Sequence, residues 1–357
     1  MNKYNIIIKT GEAEIKALEN IPKDKISSLF PIIELTRGRK ITKNNQISHP
    51  FNKRLDKLKK IFEGQEICID VTSDPTLSSE ETQSFYNPHN GYEKWINFLH
   101  GLEKEKVFKN ITPTILWNFN DPNFQENITL QIRSLTDLFG KVAYRNAIED
   151  DGFYDDISIY LSTIPFYFIL DCGYVPQASY NNVAEKVISR LSNIKTLIKD
   201  NNSQFCLVST SYPNNVNMFG DSPASTLRLT EIDLYNHVKE IHKDIIYGDY
   251  GLINPIRNDT IVMSRGWIPK IDVPLENSVY YYRQRRPSGI TSYSGTYIQV
   301  ANACVNDGLF PHSLEELWGV KQIISCSNGS VPSSSPSFWI SVRMNIHIQQ
   351  QIRNRFS

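Results

Sequence analysis

The chain has 357 residues, 40% hydrophobic and 21% charged, a globular composition that excludes disorder as its default state. Its 38 basic and 38 acidic residues cancel, so no whole-molecule field draws it to nucleic acid or an anionic membrane; an anion must be met by a local patch. The five cysteines (68, 172, 206, 304 and 326) show no metal-ligand spacing, and Cys68 and Cys206, inside apolar runs, read as core thiols of a reducing cytosol. The opening apolar run is too short for a signal peptide, and no stretch approaches the ~20 apolar residues of a membrane span. A cytoplasmic protein with neither a membrane nor a nucleic-acid partner is expected.

In chain order, short β-rich runs are "NIIIKT" (5–10), "PIIEL" (31–35), "EICIDV" (66–71), "TPTILW" (112–117), "KVAYRN" (141–146), "FYFILD" (166–171), "FCLVSTS" (205–211) and "DIIYGDYG" (244–251). Between them apolar residues return every three or four positions, the helical period. Leu55, Leu58, Ile61 and Phe62 mark one helix, and Tyr92, Trp95, Ile96 and Leu99 another. Phe124, Ile128, Ile132, Leu135 and Phe139 mark a third; Val183, Val187, Leu191, Ile194 and Ile198 a fourth; Ile232, Tyr235, Val238 and Ile241 a fifth. "DDISIYLST" is a weaker, short helix. Apolar strands alternating with amphipathic helices predict a parallel sheet covered by helices, and eight units in about 250 residues is the size of a (β/α)8, TIM-like barrel. An open doubly wound sheet competes; the count of eight and the lack of G-x-G-x-x-G after the first strand favour the barrel.

After the eighth unit the pattern changes. "TIVMSRGWI" and "NSVYYYRQRR" are β-like, "GTYIQVANACVNDGLF" and "SLEELWGVKQII" helical, and a serine-rich loop leads to "FWISVRMNIHIQQQIRNRF". The expectation is a barrel over residues 1–251 with an α+β extension, 252–357, packed on it.

In such a barrel the carboxyl ends of the strands share one face, where active sites are built. The last polar residues of the expected strands are Lys9, Glu34, Asp70, Trp117, Arg145, Asp171, Ser209 with Ser211, and Asp249. Glu34, Asp70, Asp171 and Asp249 are candidate ligands for a hard cation such as Mg, or a general acid and base; Arg145 and Lys9 suit a phosphate or carboxylate. An inert layer of mutually satisfied ion pairs gives the same pattern. "GDYG" (248–251), with Asp249 and Tyr250, falls where many barrels bind phosphate, and "YPNNVNMFGDSPAST" is long enough for a lid. "YYYRQRRP" interleaves aromatics with arginines but reads first as a hairpin with a solvated basic end. No H-E-x-x-H or serine-triad order emerges, and His347 reads as a core or interface residue.

The opening "YNIIIKTGEAEIKALENI", "LFPIIEL", "FILDCGYV", "LVSTSYP", "YGDYG", "MSRGW" and "FWISVRMNIHI" follow one another along nearly the whole chain. In these the chain resembles the beta protein family of phages, phage satellites and bacterial genomes. The resemblance implies an antitoxin-like role, protection against killing by the gop protein of a gop–beta–cll locus linked to defence against other phages. It singles out Lys9, Glu12, Glu34, Asp171, Ser211, Asp249, Arg265 and His347. The chain departs from the family at its carboxyl end, where His347 stands without the second histidine of the expected pair. Two readings follow: a binding protein that holds a partner encoded in the same locus, and a metal-dependent hydrolase of a phosphorylated or nucleotide substrate.

Overall fold

The structure, a computed structural model, describes residues 3–43, 46–150, 160, 163–198, 202–214, 222–256 and 266–356. Arg265, most of "TIVMSRGWI" and "DDISIYLST", and the middle of the expected lid lie outside the described residues.

Eight parallel strands form one sheet: β1 (Tyr4–Lys9), β2 (Leu29–Leu35), β3 (Glu66–Val71), β4 (Asn110–Pro113), β5 (Val142–Ala147), β6 (Phe166–Tyr174), β7 (Gln204–Thr210) and β8 (Ile246–Asp249). Each neighbours its sequence successor, and β8 returns to β1 through the register Ile6↔Asp249. Between β4 and β5 the ladder shrinks to one bridge, Thr114↔Ala143, with the Ile115 amide donating to the Ala143 carbonyl at 2.9 Å. The result is a mixed α/β fold around a nearly closed, barrel-like sheet. β4 is shorter than the expected 112–117 because the chain leaves the ladder at Leu116. There the Gln131 amide takes over, accepting from the Leu116 N–H at 2.7 Å and donating to its carbonyl at 2.9 Å, which satisfies backbone groups that burial would otherwise orphan.

The helices α1 (Glu12–Glu19), α2 (Asn52–Ile61), α3 (His89–Lys104), α4 (Phe124–Phe139), α5 (Tyr180–Leu197) and α6 (Thr230–Ile241) lie between strands. The expected stripes point inward: Leu55 and Leu58, Trp95 and Leu99, Ile128, Ile132 and Leu135, Val187, Leu191 and Ile194 are all buried. Ile241 is 53% exposed, because α6 ends there and the stripe runs past the contact. Asn90, Gly91 and Tyr92 have positive φ, so the regular turns of α3 begin after Tyr92.

Strand parity divides the core in two. Ile7, Ile32, Cys68, Ala143, Ile169, Cys206, Val208 and Tyr250 pack together inside the sheet, while Tyr4, Ile6, Ile8, Ile33, Ile69, Phe168, Leu207 and Tyr247 face the helices. All five cysteines are buried free thiols.

Beyond β8, Lys270–Pro274 and Ser278–Arg283 form an antiparallel hairpin, and Ser278–Arg283 also pairs with Ala224–Arg228 from the β7–α6 connection. Three helices follow: α7 (Ser294–Val305), α8 (Trp318–Ser327) and α9 (Pro336–Arg355). α9 carries two apolar faces. Met344, Ile348 and Ile352, four residues apart, join the main core, while Phe338, Trp339, Val342 and Ile346 join a second core with α7, α8 and the hairpin. Polar side chains between the faces are bonded: Asn345 donates to the carbonyls of Ala17 and Asn20, and Gln350 to that of Pro274. No helix of the described residues is long and apolar enough to cross a membrane.

Candidate functional site

The registers Lys9↔Glu34 and Glu34↔Asp70 set three ionisable residues at one level across β1, β2 and β3, all on the interior parity. Arg145 of β5 reaches across to them. Its Nη1 donates to Glu34 Oε2 at 2.8 Å and Asp70 Oδ2 at 2.7 Å; its Nη2 and Nε grip Asp171 Oδ2 of β6 at 2.7 and 2.9 Å. Lys9 Nζ lies 3.3 Å from Glu34 Oε1 and donates to the Pro255 carbonyl. The Tyr250 hydroxyl bonds Asp171 and receives Arg145 Nη2 at 3.0 Å; Thr114 Oγ1 donates to Asp70 at 2.7 Å.

This layer is nearly closed. Lys9, Glu34, Asp70, Asp171 and Tyr250 are buried, and only Arg145 shows a substantial part of its side chain, 19%, to solvent. Burial drives the Glu34 carboxyl up, but Lys9 and Arg145 outweigh it and hold Glu34 down at about 2. At Asp70 burial wins: with Arg145 already shared and Glu34 repelling, its carboxyl titrates above the usual range. Burial also works against charged Arg145, yet Tyr250, Asp171, Glu34 and Asp70 keep it protonated.

Asp249, Ser209 and Ser211 do not belong to this layer. They sit on the opposite parity, facing the helices, and the one-residue step from Asp249 to Tyr250 crosses the sheet. Asp249 instead accepts from the Tyr4 hydroxyl, from Tyr247 at 2.8 Å and from the Gly251 N–H at 2.8 Å, with His347 Nε2 of α9 at 2.7 Å. Burial raises Asp249, and His347 with these donors more than reverses it. Beside it, Ser211 donates through its N–H at 2.9 Å, and through its hydroxyl, to Glu231 Oε2 of α6. Glu231 Oε1 and His347 Nδ1 are buried with no partner among the described residues. Burial pushes the Glu231 carboxyl up to about 7, Ser211 opposing and Asp249 adding to it. Ser209 is buried on β7, level with Asp249. Trp117 lies past the end of β4, packed on Phe124 and Tyr144. Glu12 starts α1 on the surface, paired with Lys57 at 3.2 Å.

Sequence reasoning missed Glu231 and Tyr4. Glu231 gives no signal, since an acid in the first turn of a helix is ordinary; Tyr4, on the outward parity of β1, was readable as a neighbour of Asp249 once β1 and β8 adjoin.

The carboxylates of the inner layer already spend their facing oxygens on Arg145. Among the described residues no group of three or more His, Cys, Asp or Glu is arranged to hold a metal ion. The residues therefore do not fit an Mg centre at the strand ends.

Fold and site together define an α/β protein with a nearly closed parallel sheet and an ion-paired layer across its strand ends. The profile of the Beta protein family matches residues 4–353, and the chain belongs to that family. It is 26% identical to Protein beta of Enterobacteria phage P4 over 98% of this chain and 92% of that one. Among solved structures, the spore cortex-lytic enzyme SleL of Bacillus megaterium QM B1551 aligns over 96% of this chain and 74% of its own at 11% identity, with a TM-score of 0.35, too low to carry an argument.

Proposed function

We propose that the chain is a binding protein of phage or prophage origin, an antitoxin-like component of anti-phage defence that antagonises a protein partner encoded in the same locus. In this reading residues 1–251 are a (β/α)8 barrel of the TIM type, and 252–357 an extension packed on it. The partner is held by the strand-end face together with the extension, in the cytoplasm; a phosphate-bearing small molecule at that face is the weaker reading, because the Arg145 N–H groups already serve Glu34, Asp70, Asp171 and Tyr250. Membership of the Beta protein family supports the role. The observation that carries binding over hydrolysis is the Arg145 layer: one guanidinium already bonds the three carboxylates that a metal or an attacking water would need.

The test is co-purification of the tagged full chain with each product of its neighbouring genes. One of them is expected to be retained, and to be released by substitutions on the rim of the strand-end face. Retention of none, from a folded monomer, contradicts the reading.

A further inference from the structure

At the other end of the sheet, where the strands begin, a cavity of about 410 Å³ opens beneath the interior core. That is within the range of small-molecule sites. Phe30 and Tyr167 form its apolar wall, their ring centroids 5.0 Å apart, and the amides of Asn110 and Gln204 supply polar groups, while that of Asn5 is bonded to Tyr167 and to the Lys3 and Tyr247 carbonyls. Its lining holds two lysines, Lys3 and Lys141, and a single acid, Glu66. That acid is already engaged: Lys109 and Asn110 each lie 3.1 Å from Oε1, and Lys3 is 3.9 Å from Oε2.

Lys141 is different. It is half-buried at the cavity wall, its Nζ donates to the neutral Gln204 Oε1 at 2.6 Å, and it lies 5.7 Å from the Tyr167 ring centroid. Glu66 favours its charged form but pairs with Lys3 and Lys109 instead. Burial lowers its pKa, the expected response of an ammonium whose charge is incompletely answered. The carboxyl end of α4, two residues upstream, favours that charge as well.

We infer that this cavity binds a small planar organic anion of mononucleotide size or less, its oxyanion held by Lys141 and its ring lodged against Phe30, with the amides of Asn110 and Gln204 reading its polar edge. A charge-assisted bond to the oxyanion is the strongest contact available there. The site is at the opposite end of the sheet from the face assigned to the partner, so the two readings stand or fall separately.

Isothermal titration of the full chain with AMP, UMP and benzoate, and with adenosine, uridine and benzamide as uncharged counterparts, tests it. At least one anion is expected to bind about tenfold more tightly than its counterpart. Lys141→Gln is expected to erase that difference and Lys141→Arg to keep it, with far-ultraviolet circular dichroism confirming both folds. Absence of binding by all three anions at millimolar concentration overturns the inference, as does a preference for the anion that survives in Lys141→Gln. Co-purification of the Lys141→Gln protein with the locus partner reads the other face and is expected to be unchanged.

Discussion

The two polar clusters at the strand ends begin one residue apart, at Asp249 and Tyr250, and are built on opposite principles. Inside the sheet, Arg145 gathers Glu34, Asp70 and Asp171 with Lys9 alongside, charge answering charge. Outside it, Asp249 is satisfied mainly by neutral donors and His347, and Glu231 by one serine. The inner cluster lowers Glu34 to about 2, whereas the outer one raises Glu231 to about 7, each from an ordinary value of 4.5. Burial alone does not set the direction: Asp70, which shares Arg145 and is repelled by Glu34, is raised within the inner cluster, and Asp249, beside His347, is lowered within the outer one.

The largest effect is expected where one acid serves most donors. Asp249→Ala strands Tyr4, Tyr247, His347 and the Gly251 N–H in a buried site, and should cost about 3–5 kcal/mol in urea unfolding, with α9 loosened from the sheet in hydrogen exchange. Glu34→Gln should cost about 2 kcal/mol at pH 7. Because the folded pKa of Glu34 lies below its unfolded value, its stabilisation is complete above about 4.5 and lost as pH falls towards 2; the variant should lack that acid-side loss. Glu231→Gln should change stability by about 1 kcal/mol or less at pH 7. Here the sign reverses: the folded pKa lies above the unfolded one, so wild type gains stability on acidification from above about 7 to 4.5. The variant should lose that slope and match or exceed wild type at pH 8; a slope kept in Glu231→Gln would assign it to another group. Smallest is the control, Lys186→Ala, which breaks the exposed pair with Glu149 and should cost under about 0.5 kcal/mol.

Much of this was legible in the residues. All eight expected runs are strands of the sheet, because near-continuous apolar segments between amphipathic helices have few other stable uses. Lys9, Glu34, Asp70, Arg145 and Asp171 do converge, since each is the last interior-facing ionisable residue of its strand. Asp249, Ser209 and Ser211 were grouped with them by their nearness to strand ends, and the period of two sends them to the other face. Register was not legible from one sequence, and it decides that Ile6, not Lys9, lies level with Asp249. The pairing of Asp249 with His347, 98 residues downstream, depends on where α9 docks, a tertiary fact without a local signal.

Arg145 closes a self-compensating layer and does not stand ready for a substrate. The decisive measurement is urea unfolding of Arg145→Met between pH 5 and pH 8, beside an assay of the proposed protection. The expected loss is about 3–5 kcal/mol at pH 8, partly recovered towards pH 5 as the stranded carboxylates take up protons. A variant as stable as wild type across that range, yet devoid of protection, would contradict it and make the layer a working site.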